Sequence, residues 1–293
     1  MSANLLTLTS EHARGMSQVL VNPAAGASIS AYRSCVGGQE VCWFQSGHAS
    51  NVACFAMVPF CSRISAGQFS YAQQAISLTP NLPPEPHAIH GHGFQQAWQV
   101  DAQTADAATL SYVYNAASWP WSYRCEQRLR LQADVLSIEL YLINQSDSPM
   151  PYGMGLHPYF PKHEGLLLTA EVDTHLQLND ELLPTGLLDV PEHLSLHKGL
   201  LLEDQLLDDV FCGWRHEAHL NWVGLERSLQ MKASVDCDKL VVWAPAGEKF
   251  CCIEPISNLP DGFNQAGRLP NPFATLAAGA SHAMAFSFHP QQG

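Results

Sequence analysis

The feature of this sequence that most restricts its fold is a period of two. In Leu136-Ser137-Ile138-Glu139-Leu140-Tyr141-Leu142 every second side chain is aliphatic, with Ser137, Glu139 and Tyr141 between them. Successive side chains of an extended chain point to opposite faces, so this run reads as a half-buried antiparallel strand. Residues 124–131 are its expected hairpin partner, with the turn near Ala133-Asp134, where Asp suits a turn position. Short runs at 111–114, 166–171, 175–178, 218–223, 240–243, 250–253 and 283–288 read the same way. Helical periodicity over ten or more residues is hard to find anywhere.

Punctuation supports the same fold class. The chain carries 20 Gly and 19 Pro among those runs, and strands do not alternate with long helical segments. A parallel α/β sheet is therefore disfavoured, and an all-β, mainly antiparallel fold is expected. The sequence has no fixed-period repeat and no low-complexity linker; Leu82-Pro83-Pro84-Glu85-Pro86 is short enough to be one loop. With 293 residues, 46% of them hydrophobic, residues 1–293 read as one large domain.

Charge narrows the partners. Against 14 Lys and Arg stand 27 Asp and Glu, a net charge of −13, and the basic residues form no cluster. Affinity for phosphate backbones comes mainly from basic side chains, so nucleic acid and anionic membrane surfaces are not expected partners. A membrane-spanning helix needs about 18 apolar residues in a row, and no stretch approaches that. The N-terminal segment has no basic region followed by an apolar one, so a cytoplasmic location is expected. The nine cysteines are odd in number, scattered and without a C-x-x-C pair, and read as reduced, mostly buried residues.

Five segments carry candidate chemistry. In His87-Ala88-Ile89-His90-Gly91-His92-Gly93-Phe94, two histidines at i and i+2 of an extended chain would point to one side. They could bind a metal, as in a cupin-like enzyme, hold structural hydrogen bonds, or contact a polar ligand. A cupin would supply a Glu shortly after the second His, where this chain has Gln95 and Gln96. In Gly155-Leu156-His157-Pro158-Tyr159-Phe160 the proline restricts His157 to extended geometry at a strand end, which suits either a general acid or a turn residue. Cys251-Cys252-Ile253-Glu254-Pro255 ends an apolar run on a glutamate, which burial would turn into a stronger base and exposure into a strand end. Leu207-Asp208-Asp209-Val210-Phe211 reads by default as a solvated turn. Arg63, alone in an apolar stretch, reads as an ion-pair partner or a ligand clamp. Seven Trp and eight Tyr could stack on the apolar faces of a sugar. No G-x-S-x-G elbow, Walker loop, dinucleotide-binding glycine pattern or H-E-x-x-H is present, which weighs against nucleotide-dependent chemistry and zinc proteolysis.

In order along the chain, these segments resemble the aldose 1-epimerase (galactose mutarotase-like) family. The resemblance rests on Val58 to Ile64, Ile89 to Phe94 with Trp98, Gly155 to Phe160, and Leu207 to Phe211 with Gly213-Trp214. It continues through Val241-Val242-Trp243-Ala244-Pro245 and Cys252-Ile253-Glu254-Pro255 with Asn264. It implies a single β-supersandwich with a sugar cleft, and exchange of α and β anomers without cofactor or metal. By carry-over, Glu254 resembles the general base for the anomeric hydroxyl and His157 the general acid for the ring oxygen. His90, Arg63 and Asp208 resemble the residues that contact the sugar. The chain departs from the family pattern at Ser62, where Asn often precedes the arginine, and at Asn258, where many relatives have His. The expected partner is a small sugar, and the expected state a monomer or homodimer. Hexose-6-phosphate 1-epimerases share fold and reaction, and a non-catalytic carbohydrate-binding protein would share the cleft. A phosphate site would want several Arg or Lys, which the segment after Phe94 lacks.

Overall fold

The computed structural model describes residues 5–47, 51–163, 165–203 and 206–292. Strands dominate, and the helical elements among these residues are 3-10 turns of three residues each. The strand-and-turn reading of 124–144 holds: Tyr123–Gln132 and Val135–Asn144 pair antiparallel about Ala133 and Asp134. Ala133 takes φ 54°, the left-handed conformation that closes a two-residue hairpin.

Two large sheets form the body. The nine-stranded sheet runs Gln99–Gln103, Ala107–Tyr114, Tyr123–Gln132, Val135–Asn144, Ser281–Gln292, Arg227–Ala233, Glu217–Trp222, Leu166–Ala170 and Leu200–Leu201. The eight-stranded sheet runs Pro184–Asp189, Thr174–Leu178, Leu207–Cys212, Lys239–Ala244, Phe250–Ile256, Gly155–Leu156 and Ala56–Met57, with Tyr159–Pro161 also pairing to Phe250–Ile256. Four N-terminal strands between Leu6 and Phe44 make a further antiparallel sheet. One apolar cluster joins the inner faces of the two large sheets. Leu140, Leu142, Met231 and Phe288 come from the first, and Phe211, Leu240, Val242, Cys251 and Ile253 from the second.

The structure corrects two sequence expectations. Leu207–Cys212 is a strand of the eight-stranded sheet rather than a solvated turn. Its Val210 and Phe211 are buried against opposite faces of that sheet, which outweighs the turn preference of two adjacent aspartates. The tryptophans are core residues for the most part: Trp43, Trp98, Trp119, Trp121, Trp214 and Trp222 all lie in the apolar cluster, and only Trp243 faces the cleft described next. All nine cysteines are free thiols, six of them buried. No helix among the described residues is long and apolar enough to cross a membrane.

Candidate active site

On the side of the eight-stranded sheet away from the core lies a cleft of about 420 Å³. Strand alternation builds the sheet face beneath it. Leu176, Val210, Val241 and Glu254 are successive cross-strand neighbours in one row, and Asp208, Trp243, Cys252 and Tyr159 in the adjacent row. Both faces of Phe250–Ile256 are covered, so Glu254 is buried although it belongs to a sheet surface. Phe55, Arg63, Glu85, His90 and Phe94 close the cleft from loops and short strands.

His157 and Glu254 meet at the bottom, with Nε2 of the imidazole 3.2 Å from Oε1 of the carboxylate. The imidazole is sandwiched between Phe55, stacked at 4.6 Å, and Tyr159, stacked at 4.7 Å. Its backbone N–H donates to the Phe55 carbonyl at 2.9 Å, fixing the strand end on which the ring sits. Burial pushes the His157 pKa down to about 3. Burial, with the nearby Asp208 charge, pushes the Glu254 carboxyl well above its ordinary value, while Arg63 pulls in the opposite direction. Each group therefore favours its neutral form in isolation. Together they hold one proton that can sit on either, as a carboxylic acid beside an imidazole or a carboxylate beside an imidazolium.

His90 reaches the cleft through an unusual piece of backbone. Ser62 and His90 both adopt φ near +57°, at 56° and 57°. They exchange two bonds: the Ser62 N–H donates to His90 Nδ1 at 3.2 Å, and the His90 N–H donates to the Ser62 carbonyl at 3.0 Å. Burial, with His157 and Arg63 adding, holds His90 neutral well below its ordinary pKa. With Nδ1 occupied as an acceptor, the ring proton belongs on Nε2, which is left as a donor for a ligand. Gly91 follows at φ 70°, where a Cβ would lie 1.9 Å from the Val58 carbonyl oxygen.

The three histidines of this segment diverge, contrary to the i, i+2 expectation, because the chain here is not extended. His92 turns into the core, where it stacks on Tyr114 at 4.5 Å with Nδ1 3.4 Å from the Tyr123 hydroxyl, and burial lowers its pKa to about 4. His87 accepts the Ala66 N–H on Nδ1 at 3.0 Å. A cupin-type metal site at His90 and His92 is therefore not formed. The donor atoms that converge belong to His157, Cys252 and Glu254.

Arg63 is bracketed by two carboxylates: its Nε donates to Glu85 Oε2 at 3.2 Å, and Nη2 stands 3.7 Å from Asp208 Oδ2. Burial raises the Asp208 pKa, with Arg63 opposing. The adjacent Asp209 points through the sheet, its carboxylate 2.7 Å from His175 Nε2. All five residues singled out in the sequence, Arg63, His90, His157, Asp208 and Glu254, thus line one cleft. Glu85 was not anticipated; its only sequence signal is a lone acid between prolines ahead of the histidine cluster. Of the two departures noted above, Ser62 lines the cleft and holds His90. Asn258 does not: its side chain bonds the Cys61 backbone N–H and carbonyl at 2.8 and 3.0 Å.

The profile of the Aldose 1-epimerase family matches residues 7–289. The uncharacterised Escherichia coli K12 protein YphB is 29% identical over 225 residues, which are 74% of this chain and 77% of that protein. YihR of the same organism, also uncharacterised, is 25% identical over 247 residues, 80% of this chain and 78% of its own. Among solved structures, a galactose mutarotase-like protein of Clostridium acetobutylicum superposes with a TM-score of 0.84 at 16% identity, covering 94% of this chain and 93% of that one. Galactose 1-epimerase of Lactobacillus acidophilus superposes with a TM-score of 0.73 at 17% identity, covering 99% and 100%. At these identities the superpositions establish the shared fold.

Proposed function

The chain belongs to the aldose 1-epimerase family, and we propose that it interconverts the α and β anomers of a free aldohexose such as glucose or galactose by general acid-base ring opening. The observation that carries this reading is the buried pair of His157 and Glu254, 3.2 Å apart at the foot of the cleft.

Opening a pyranose requires removal of the proton from the C1 hydroxyl and delivery of one to the ring oxygen. Glu254 as carboxylate takes the first, and His157 as imidazolium gives the second. The pair then holds the same proton in its other arrangement, acid beside neutral imidazole. Rotation about C1–C2 and reclosure, with the roles reversed, gives the other anomer and restores the start. Burial raises the basicity of the carboxylate and the acidity of the imidazolium, which favours both transfers of ring opening and opposes their reversal on reclosure to the same extent. Such assistance is worth about 10²- to 10⁴-fold. The step as written draws on no metal, nucleotide or covalent intermediate. His90 Nε2–H and the Arg63 guanidinium supply donors, and Asp208 an acceptor, for hydroxyls around the ring.

The charges in the cleft support a free sugar over a phosphorylated one. Arg63 is the single Lys or Arg among the described residues lining it, and Glu85 and Asp208 already hold it. Counting the His157–Glu254 pair as neutral leaves the cleft with a net negative charge, which opposes a phosphate dianion. A protein that only binds sugar gains nothing from burying a carboxylate and an imidazole against their preferred charge states, which favours the catalytic reading over a binding module.

Polarimetry or anomeric-proton NMR on freshly dissolved α-D-glucose and α-D-galactose tests the proposal. A rate far above the spontaneous one, lost in Glu254→Gln, is expected. No acceleration of either sugar by the folded protein would overturn it.

A further inference from the structure

Cys252, which the reaction above does not use, is buried directly below the pair that carries it. One ligand atom each from His157, Cys252 and Glu254 lie within 4.8 Å of one another, and all three residues are buried. Register explains the convergence. Cys252 and Glu254 are two residues apart on one strand and so share its cleft face, while Tyr159, two residues after His157, pairs with Cys252. Cys252 itself is 0% exposed and lines no part of the cleft.

These three donors suit a particular class of ion. Zinc binds thiolate, imidazole and carboxylate at roughly 2.0–2.3 Å in a tetrahedron, which sets ligand atoms about 3.2–3.8 Å apart. The nitrogen and carboxylate oxygen already stand at 3.2 Å, and the sulfur, within 4.8 Å of both, has to close each gap by no more than about 1.6 Å to reach that spacing. Magnesium and calcium prefer all-oxygen shells and are poor matches for this set. A dication held by one thiolate, one carboxylate and a neutral imidazole is also electrically balanced, which a buried site requires. Three protein ligands leave a fourth position open toward the cleft.

We infer that His157, Cys252 and Glu254 form a site for a thiophilic divalent cation of the zinc type, and that such an ion switches the enzyme off by taking both members of the acid-base pair as ligands. The inhibition rests on the proposed function; the binding does not.

Co²⁺ added to the reduced protein without oxygen tests the site directly. One equivalent is expected to give the visible bands of four-coordinate cobalt together with a thiolate-to-cobalt charge-transfer band, both displaced by Zn²⁺. Cys252→Ser and Glu254→Gln should each weaken binding by more than the roughly 10- to 100-fold that loss of an outer-shell partner costs. Cys35→Ser, which removes the exposed thiol, should leave it unchanged. Zn²⁺ should then inhibit sugar turnover reversibly, released by EDTA, while Cys252→Ser, measured against its own metal-free rate, resists the same zinc. Cys252→Ala repeats the comparison in case serine disturbs the strand. A thiolate band that persists without Cys252, or no such band in the folded wild type, overturns the site. Stoichiometric binding with full activity overturns the switch. A metal-free protein that turns over no sugar overturns the functional reading alone, and the cobalt spectra still decide the site.

Discussion

His157 Nε2 lies 3.2 Å from Glu254 Oε1 inside a stack in which Phe55 and Tyr159 cover the two faces of the imidazole. The rings exclude water from both sides and leave the histidine in-plane contact with the glutamate and the cleft. Neither partner can lower the cost of its charge by hydration, so the two are coupled through the proton they share.

Removing either partner should therefore stop turnover without unfolding the protein. Glu254→Gln and His157→Asn are each expected to lower kcat by about 10²- to 10⁴-fold, with near-native circular dichroism and residual sugar affinity. Near-wild-type kcat in one variant would reassign the role of that residue.

The shared proton also gives stability a distinctive pH profile. Unfolded, Glu254 and His157 titrate near 4.5 and 6.5; folded, the first is raised and the second lowered to about 3. The raised Glu254 costs stability as pH climbs from its unfolded value through its folded one, which is the alkaline limb, and the lowered His157 costs stability as pH drops from 6.5 to about 3, so the two oppose each other where those windows overlap. Below 4.5 the unfolded chain carries two protons against one, and stability falls again on the way to about 3. Each limb has a slope of up to ~1.4 kcal/mol per pH unit. Denaturant melts across pH should show the alkaline limb vanish in Glu254→Gln, making that inactive variant more stable than wild type at pH about 8.

His92 should add a separate acid limb. Its pKa falls from 6.5 unfolded to about 4 folded, so it destabilises the protein progressively as pH drops through that window. In His92→Phe, which keeps a ring against Tyr114, the loss of melting temperature between pH 6.5 and about 4 should shrink while sugar turnover persists. An unchanged acid profile would mean that the His92 ring is hydrated in solution.

Glu85→Gln should separate binding from chemistry. It removes the carboxylate that accepts from Arg63 Nε and one negative charge from the cleft. The expected result is an increase in KM for a neutral hexose of about tenfold, the range of one charge-assisted bond, with kcat little changed. Discrimination against hexose 6-phosphate should narrow at the same time. Parallel kinetics on the two substrates measure both effects, and an unaltered ratio would count against a charge filter at Glu85.

Gly91→Ala should release His90 from its hold. The new Cβ would overlap the Val58 carbonyl oxygen at a φ of 70°, and the backbone must shift where Ser62 and His90 exchange bonds. A loss of stability of at least about 1–3 kcal/mol is expected, with a rise in KM that Gly93→Ala, whose Cβ meets a Val58 side chain, should reproduce less strongly.

Much of this was readable from the sequence, and the divisions have causes. The period of two in 136–142 located the strand and its hairpin because alternation is a local property of extended chain. Glu254 and Asp208 stood out as acids at the ends of or within apolar runs, although Asp208 read as part of a turn; pairing with Lys239–Ala244 made it a strand. The i, i+2 rule failed at His90 and His92 because both Ser62 and His90 take positive φ there, a conformation fixed by bonds between residues 28 apart in sequence. Glu85 left almost no signal, since its partner Arg63 becomes a neighbour only when two loops meet over the sheet.

The sequence by itself determined the all-β class, through side-chain alternation and turn residues, and the identities of the groups able to give and take protons. Tertiary structure decided which groups face one cleft, which of two adjacent aspartates enters it, and how far burial moves the charges of His157 and Glu254. Hydration and Coulomb energies depend on everything packed around a group, and strands distant in sequence supply nearly all of that packing.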